Sequence, residues 1–318
     1  MAFVQRFIQL TVQLAPNTGT NQPNTFTNTG SGTLVLDNSR TIVRVENSGS
    51  AVNNKATVKI YGLTPNIMNQ LSTLGLVFDQ VPKNALTIAV STDSGGWSSI
   101  FSGTIWHAYA DYSSQPDVPF HFEIVQGAAF AALTAAPSSF PGSTDVATIM
   151  SGFARLMKLT FENNGVSSKL SNTYYSGDLR KQAQTCADDA GITLAYPEGK
   201  LAIFPKGGNR NTPSIPTISP ANGLVSYPAF TQQGIILKTV FNPLISFGSL
   251  IKIESSILSG IAAAKNAAMP NSSPFPTTWA VNKLDFALDS MMPKGEWLST
   301  IYAYNPQFAR GIIAPGSG

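Results

Sequence analysis

Apolar and polar residues alternate with a period of two along much of the first part of the chain. Residues 8–14 alternate Ile, Leu and Val with Gln and Thr, and residues 55–61 place Ala56, Val58 and Ile60 between Lys and Thr. Because successive side chains of a strand point to opposite faces, this pattern predicts half-buried β-strands. One short helix is predicted from Thr64-Pro65 to Gly75. Further strands are predicted at residues 33–36, 40–46, 86–90, 97–107 and 120–125.

The spacing of apolar residues changes from strand-like to helical after Pro141. Apolar residues recur at helical spacing from Val146 through Leu156 to Met157, and a second apolar stripe, which includes Cys186, runs over residues 178–190. Strands are predicted at residues 192–196 and 200–204. These elements predict a small α/β domain that ends in the Gly/Asn/Pro-rich stretch 206–213.

Strand patterns return after residue 213. Residues 234–241 are apolar on both parities, which predicts a strand covered on both faces, and Asn242-Pro243 ends it. Near Asn282-Lys283 the apolar parity slips from odd (Trp279, Val281) to even, which predicts a β-bulge. The chain then turns and returns as a strand at residues 297–304. A long insertion at residues 255–278 is predicted to form a short helix over 261–268 or a docking loop.

The predicted fold class is therefore mainly β (α+β). We expect two β-barrel-like domains of similar topology, residues 1–138 and 209–318, on either side of a small α/β domain at residues 139–208. The second barrel domain carries the insertion 255–278. No sequence repeat relates the two β-domains.

Low charge is the informative part of the composition. Only 12% of the 318 residues are charged, whereas an ordinary soluble domain has about a quarter. A β-rich chain with so little charge indicates a surface that partners cover, although a secreted β-protein with Asn, Thr and Ser on its surface has the same composition. The net charge is +3 and Arg180-Lys181 is the only adjacent basic pair, so no Lys/Arg stripe for nucleic-acid phosphates is predicted.

The single cysteine and the short apolar runs argue against a disulfide-bonded or membrane-spanning protein. Cys186 alone cannot form an intrachain disulfide. No apolar run approaches the roughly 20 residues of a membrane span, so none is predicted. The alternation in residues 8–14 predicts a strand and differs from the uniformly apolar core of a signal peptide.

Histidines and carboxylates are the first candidates for chemistry. His107 and His121 lie in predicted strands without a cysteine pair or a spaced second histidine, so packed or surface positions are favoured over zinc ligation. Asp188-Asp189 point to different faces of a helix and predict surface positions. Asp285 and Asp289 share one strand parity and could form a glycosidase pair, but a solvated sheet face produces the same alternation and is favoured.

The remaining candidates also have structural explanations. Cys186 lies on an apolar helix stripe, which predicts core packing rather than a nucleophile. Gly207-Gly208 lacks the lysine and the helix of a phosphate-binding loop. Four tryptophans could stack sugars or bases, yet their positions in strands favour core packing: Trp97, Trp106, Trp279 and Trp297. The sequence thus predicts no catalytic, cofactor-binding or metal-ligating residue.

An ordered series of strand and turn motifs resembles the baseplate hub proteins of contractile-tailed bacteriophages. The first part, Ala56–Leu71 followed by Ile100–Thr104, resembles the first barrel of these proteins. The later parts keep their order along the chain, and together with the first part they cover more than half of it: Leu201–Pro205, Ile218-Ser219-Pro220, Gly223-Leu224, Tyr227-Pro228, Phe230-Thr231, Gly234-Ile235, Phe241-Asn242-Pro243, Ile251–Ser255, Trp279-Ala280-Val281 and Leu288–Trp297.

This resemblance implies a structural role without catalysis. Each subunit of a homotrimer would contribute two tube-like β-barrels, and six barrels would form a pseudo-sixfold ring. The ring would join the hexameric tail tube to the trimeric central spike, contact other baseplate proteins and line a channel through which DNA passes without sequence-specific binding. The protein would be made in the host cytoplasm and function in the virion.

Two alternatives from other classes remain. Some phage hubs carry cell-wall hydrolase domains, but no lysozyme-like or Cys/His peptidase arrangement occurs in this sequence. A carbohydrate-binding tail or adhesin module agrees with the β content and the tryptophans, but does not account for the ordered series of motifs.

Overall fold

The chain folds into two compact units. Unit 1 comprises Met1–Glu46, Val52–Ala132 and Phe286–Trp297, and unit 2 comprises Asn47–Ala51, Leu133–Asp285 and Leu298–Gly318. The computed structural model describes residues 5–15, 24–27, 29–48, 54–72, 84–92, 96–128, 135–197, 199–231, 234–254, 259–260 and 278–306. No helix in these ranges is long and apolar enough to span a membrane.

Unit 1 contains an antiparallel sheet with strand order β3-β4-β7-β6-β5-β1-β2. Its strands are β1 (Arg6–Gln13), β2 (Thr33–Leu36), β3 (Thr41–Asn47), β4 (Lys55–Tyr61), β5 (Ala85–Thr92), β6 (Ser98–Ala110) and β7 (Pro119–Val125). As the alternation predicts, Ala56, Val58 and Ile60 are buried. Helix α1 (Pro65–Leu71) ends before the predicted stop at Gly75, because the backbone of Ser72 is already extended.

The sheet of unit 1 curls. Strands β2 and β3 are consecutive in the chain but stand at opposite ends of its seven-strand order. Laid flat, such a sheet would separate these strands by about 29 Å. The chain from Leu36 to Thr41 reaches at most about 18 Å. The sheet must therefore bend towards closure, although no ladder joins β2 to β3 in the described part of the chain.

The first part of unit 2 has the predicted α/β character and more strands than predicted. Its elements are β8 (Ser138–Asp145), α2 (Val146–Leu156), β9 (Thr160–Asn163), β10 (Lys169–Tyr175), α3 (Leu179–Asp189), β11 (Ile192–Ala195) and β12 (Lys200–Pro205). Strand β8 pairs with β10, and β11-β12-β9 form a second small sheet. Val146, Ile149 and Phe153 of α2 are buried as predicted, whereas Leu156 at the end of this helix is exposed.

The second part of unit 2 is a β-sheet. Its strands are β13 (Thr217–Ile218), β14 (Ala229–Thr231), β15 (Gly234–Val240), β16 (Leu250–Ile253), β17 (Ser259–Gly260), β18 (Thr278–Asp289) and β19 (Trp297–Tyr304), in the order β17-β14-β15-β19-β18-β16-β13. The last residues of β18 and the first of β19 belong to unit 1.

One prediction for this sheet needs correction, and another is tested only in part. Strand β15 was expected to be covered on both faces, but only one face is buried, since Lys238 and Val240 are exposed. Within the insertion, Ser259–Gly260 forms a short strand parallel to β14. The predicted helix at 261–268 and the rest of the insertion up to residue 277 lie outside the described residues.

The parity slip predicted in β18 is confirmed by burial. Trp279 and Val281 are buried, Asn282 and Lys283 are both half-buried, and Leu284 starts the opposite buried parity. Two successive outward-facing residues are what an inserted residue produces in a strand.

The two β-regions share one strand order. Five strands run β3-β4-β7-β6-β5 in unit 1, and five run β14-β15-β19-β18-β16 in unit 2. If the five strands of each set are numbered by their order in the chain, both sets are arranged across the sheet as first, second, fifth, fourth and third. The ladders β3–β4, β4–β7 and β5–β6 are antiparallel, as are their counterparts β14–β15, β15–β19 and β16–β18. The correspondence ends at the next strand, because β1 joins β5 antiparallel whereas β13 joins β16 parallel.

The similar topology expected from the sequence is therefore present in the strand order, but no closed barrel occurs in the described part of the chain. Neither order returns to its first strand among the described residues. Unit 2 combines the predicted α/β domain with most of the predicted second β-domain, and residues 286–297 belong to unit 1. The division into three domains stays a prediction.

Candidate functional site

Both histidines lie on the outer face of the β6–β7 pair, opposite the buried face of the unit 1 sheet. A bulge in β6, just before His107, leaves Trp106 as the extra residue. The ring of His121 stacks on Tyr109, with centroids 4.9 Å apart and planes 7° from parallel. Burial, and then the charge of Lys59, lower the pKa of His121. No three His, Cys, Asp or Glu side chains of the described ranges are grouped so that they could hold a metal ion.

The four tryptophans divide between core and surface. Trp279 and Trp297 are buried, each with 4% of its surface exposed, as predicted. Trp97 and Trp106 are 46% and 39% exposed, so the prediction of core packing is wrong for these two. For Trp106 the reason is the bulge in β6, which turns an additional side chain outwards. Trp97 directly precedes β6 rather than lying within a strand.

Each carboxylate of the candidate glycosidase pair forms a salt bridge with a basic side chain. In unit 2, Lys283 Nζ lies 3.0 Å from Asp285 Oδ2. In unit 1, Arg44 Nη1 donates to Asp289 Oδ1 at 2.6 Å, and the Glu296 N–H donates to Asp289 Oδ2 at 3.0 Å. The prediction of a solvated position is thus wrong for Asp289. Its carboxylate is buried and accepts hydrogen bonds from Arg44 and from the backbone of the β18–β19 turn.

The other candidates have the predicted structural positions. Asp188 and Asp189 are exposed at the end of α3, where Asp188 accepts a hydrogen bond from Gln184. Cys186 is fully buried, and burial raises the pKa of its thiol to about 11, so the reactive thiolate is scarce at neutral pH. Gly207-Gly208 forms a turn after β12, closed by the Gly208 N–H donating to Pro205 O.

A buried polar cluster is centred on Arg210, which the sequence analysis did not single out. Its Nε and Nη2 donate to the two carboxylate oxygens of Glu162, each at 2.8 Å. Its Nη1 donates to Ser246 Oγ and to Phe247 O, both at 3.2 Å. Asn164 Nδ2 adds a bond to Glu162 Oε1 at 3.0 Å. One guanidinium thus joins β9 of the α/β part to the turn before β16, within unit 2.

This cluster keeps Glu162 ionised. Hydrogen bonds from Arg210 outweigh the effect of burial and lower the pKa of Glu162 to about 2. The Arg210 side chain is only 5% exposed, so its charge requires the facing carboxylate. The signal in the sequence was weak, because a lone arginine in a Gly/Asn/Pro-rich stretch has the appearance of a linker residue.

Unit 2 also exposes a patch of mostly aliphatic side chains around β15. The Val225 N–H donates to Lys238 O at 2.9 Å and the Val240 N–H donates to Gly223 O at 2.7 Å, so residues 223–225 lie along this strand. The exposed large apolar residues in β15 and in the segments next to it are Val225, Tyr227, Val240 and Leu244. Clustered apolar side chains of this kind usually mark a protein interface.

The comparison with protein families decides the identity of the chain. The model of the family "Baseplate hub gp41" matches residues 24–263, about three quarters of the sequence. The chain belongs to this baseplate hub family. It is thus a component of phage tails, as the ordered motifs predict. No curated protein matches the sequence.

Solved structures agree with the hub family at the level of the fold. The 43 kDa tail protein of prophage MuSo2 from Shewanella oneidensis has a TM-score of 0.55 at 8% identity, over 86% of this chain and 94% of the other. A tail protein from Neisseria meningitidis MC58 has a TM-score of 0.55 at 9% identity, over 94% and 96% of the two chains. A chain of the Francisella PdpA–VgrG complex has a TM-score of 0.53 at 8% identity, over 95% of this chain and 58% of the other.

Proposed function

We propose that this hub protein assembles as a homotrimer that joins the hexameric tail tube to the trimeric central spike. Its two β-regions would act as tube-like modules, so a trimer would present six similar modules in a pseudo-sixfold ring. The ring would surround a channel for DNA and contact other baseplate proteins. Synthesis would take place in the host cytoplasm before assembly into the virion.

The single observation that carries this proposal is the shared five-strand order of the two units. A ring closes when equivalent surfaces repeat around an axis. Two modules with the same strand order let three chains offer six similar edges, which is what a threefold component needs in order to meet a sixfold tube. The curl of the unit 1 sheet supports a tube-like module, since a bent sheet follows the wall of a ring.

The aliphatic patch of unit 2 supports assembly with other proteins. Val240 lies on the outward face of β15, whose inward face is buried, and Val225 is exposed in the segment that is hydrogen-bonded to this strand. Such residues gain stability when a partner removes them from water, at roughly 25 cal/mol per Å² of apolar surface.

A structural role without catalysis is part of the proposal. General acid–base chemistry on a sugar needs carboxylates that are free to exchange protons. Asp285 and Asp289 are each bound to a cation, and Glu162 has a pKa of about 2, well below that of a general acid. These salt bridges give Asp285, Asp289 and Glu162 a role in stabilising the fold.

The proposal is tested by the mass of the purified chain in solution. Mass photometry or light scattering should find a species of three chains of 33.7 kDa each. A stable monomer or dimer across micromolar concentrations would contradict it. In parallel, purified peptidoglycan should release no soluble fragments. Release that Asp285→Asn or Asp289→Asn abolishes would favour the hydrolase alternative.

A further inference from the structure

The β6 strand of unit 1 carries exposed aromatic side chains at the end where it turns into β7. Trp106 and Tyr109 in β6, and Tyr112 just after it, are 39%, 47% and 57% exposed. The bulge before His107 turns Trp106 outwards, and one face of the Tyr109 ring is covered by the stacked ring of His121. We call Trp106, Tyr109 and Tyr112 the aromatic row.

The charges next to the aromatic row are carboxylates. No lysine or arginine occurs in residues 84–154, so β6, β7 and the turn between them contain acidic residues without any basic partner of their own. Glu123 is exposed on β7, directly opposite His107, and its carboxylate has no salt bridge in the described part of the chain. Asp111, directly after β6, adds a second carboxylate, which accepts a hydrogen bond from the hydroxyl of Ser113.

Two neighbouring basic groups leave this negative character in place. Lys59 is exposed and has no salt bridge in the described ranges, but it lies on β4, two strands and about 10 Å away from β6. Burial, and then the charge of Lys59, lower the pKa of His121, so its imidazole is uncharged at neutral pH. The aromatic row is therefore an apolar surface with a negative border.

The aliphatic patch of unit 2 carries the opposite charge. Between Arg210 and Lys252 the sequence contains a single charged residue, Lys238. This lysine is exposed on β15, on the same outward face as Val240 two residues later, and its carbonyl oxygen accepts from the Val225 N–H. Its ammonium has no salt bridge in the part of the chain that the structure describes. The patch is therefore an apolar surface with one unpaired positive charge within it.

A ring of three identical chains needs two different surfaces on each chain. A surface that meets its own copy gives a twofold dimer, whereas the contacts that close a threefold ring are heterologous. The aromatic row and the aliphatic patch are two such surfaces, since they lie on different units and carry opposite charges. Their composition also fits, because tyrosine and tryptophan rings packed in charge-poor surroundings are typical of the centres of protein interfaces.

We propose that the aromatic row of one copy packs against the aliphatic patch of a second copy, with Lys238 facing Glu123. This inference rests on the proposed homotrimer and names the surfaces through which its subunits meet. The rings of Trp106 and Tyr109 cover the exposed aliphatic side chains of the patch. The ion pair at the border sets the orientation of the two copies, as complementary charges do at interfaces.

Charge reversal in the full-length chain tests this pairing. Lys238→Glu and Glu123→Lys should each raise at least about tenfold the protein concentration at which half of the chains are trimeric, because like charges would then face each other. The combined variant K238E/E123K should return this concentration to the wild-type value. Both side chains are exposed and without salt bridges in the described ranges, so the circular dichroism of all three variants should equal that of the wild type.

A disulfide crosslink tests the same contact in a trimer too stable to dissociate. The variant E123C/K238C should form disulfides between copies, which appear as covalent dimers and trimers on a non-reducing gel. Neither single cysteine variant should form covalent trimers. The native Cys186 is fully buried and does not compete for these bonds.

Two substitutions at similar positions serve as controls. Lys252→Glu changes another half-exposed lysine of unit 2, and K252E/E123K should not restore assembly, because Lys252 is paired with Glu254 on its own strand. Trp97→Ala removes a ring that is 46% exposed but lies about 30 Å from Trp106 along β6, so it should leave assembly unchanged. Trp106→Ala should weaken assembly about tenfold.

The outcomes separate this proposal from the proposed homotrimer. A wild-type trimer in which K238E/E123K assembles no better than the single variants, or in which E123C/K238C forms bonds only within one chain or none, would overturn the pairing and leave the homotrimer intact. A wild-type chain that stays monomeric would overturn both, and it is recognised from the wild-type mass alone.

Discussion

At the residue scale, burial was predicted correctly from the sequence where a local pattern fixes which way a side chain points. Cys186 was placed correctly, because a helical stripe fixes which positions face a core. Trp106 was not, because a one-residue bulge reverses strand parity and no strong turn residue announces it. Asp289 was also misplaced, since its partner Arg44 is remote in sequence and only folding brings the two together.

The cluster at Arg210 gives a prediction at this scale. Glu162→Gln should lower the free energy of unfolding by about 3–5 kcal/mol at neutral pH, because it leaves the buried guanidinium without its counter-charge. Lys252→Ala is the control, since its pair with Glu254 is half exposed and should contribute less than about 1 kcal/mol. Chemical denaturation monitored by circular dichroism measures both effects.

The same cluster predicts how the effect depends on pH. The pKa of Glu162 is lowered from 4.5 to about 2 in the folded protein, so its contribution is complete above pH 4.5 and is lost as pH falls towards 2. The difference in stability between the wild type and Glu162→Gln should therefore shrink over this range. A difference that stays constant between pH 6 and pH 3 would show that the carboxylate's charge has no part in the stabilisation.

At the element scale, period and turn residues located most strands, and pairing partners remained hidden. The strands at residues 55–61 and 297–304 were predicted because alternation is a local signal. The strands β8, β9 and β10 were missed, since Ser, Thr, Asn and Gly give them no apolar alternation and they are held by ladders to distant segments. The shared strand order of the two units was expected only from resemblance and overall pattern, because no sequence repeat encodes it.

A glycine at the start of β15 gives a prediction at this scale. Gly234 has a φ of +146°, and a Cβ at this position would lie 2.1 Å from the carbonyl oxygen of Ala303 on β19. Gly234→Ala should therefore separate the ends of these strands and cost about 2 kcal/mol or more. Gly152→Ala is the control: this glycine lies inside α2 with nothing within 4 Å of its added Cβ, so alanine should stabilise the helix by about 0.5–1 kcal/mol. The midpoints of thermal unfolding of the two variants test this prediction. Equal midpoints would argue against the close approach of β15 and β19.

At the scale of the whole molecule, the hub family and the shared strand order of the two units support the proposed ring architecture. Composition alone left a secreted β-protein and a covered assembly component equally open, because both are poor in charge. The ordered motifs, and then the family match over residues 24–263, separated them. The threefold arrangement could not be derived from the chain, since symmetry depends on how surfaces of different copies meet.

The central claim is that three chains place six similar sheet modules around one axis. Electron cryo-microscopy of the purified oligomer tests it most directly. End-on averages should show a ring of six similar densities with true threefold symmetry and an open centre. A threefold particle in which only three sheet modules reach the ring, or an oligomer without threefold symmetry, would contradict the account.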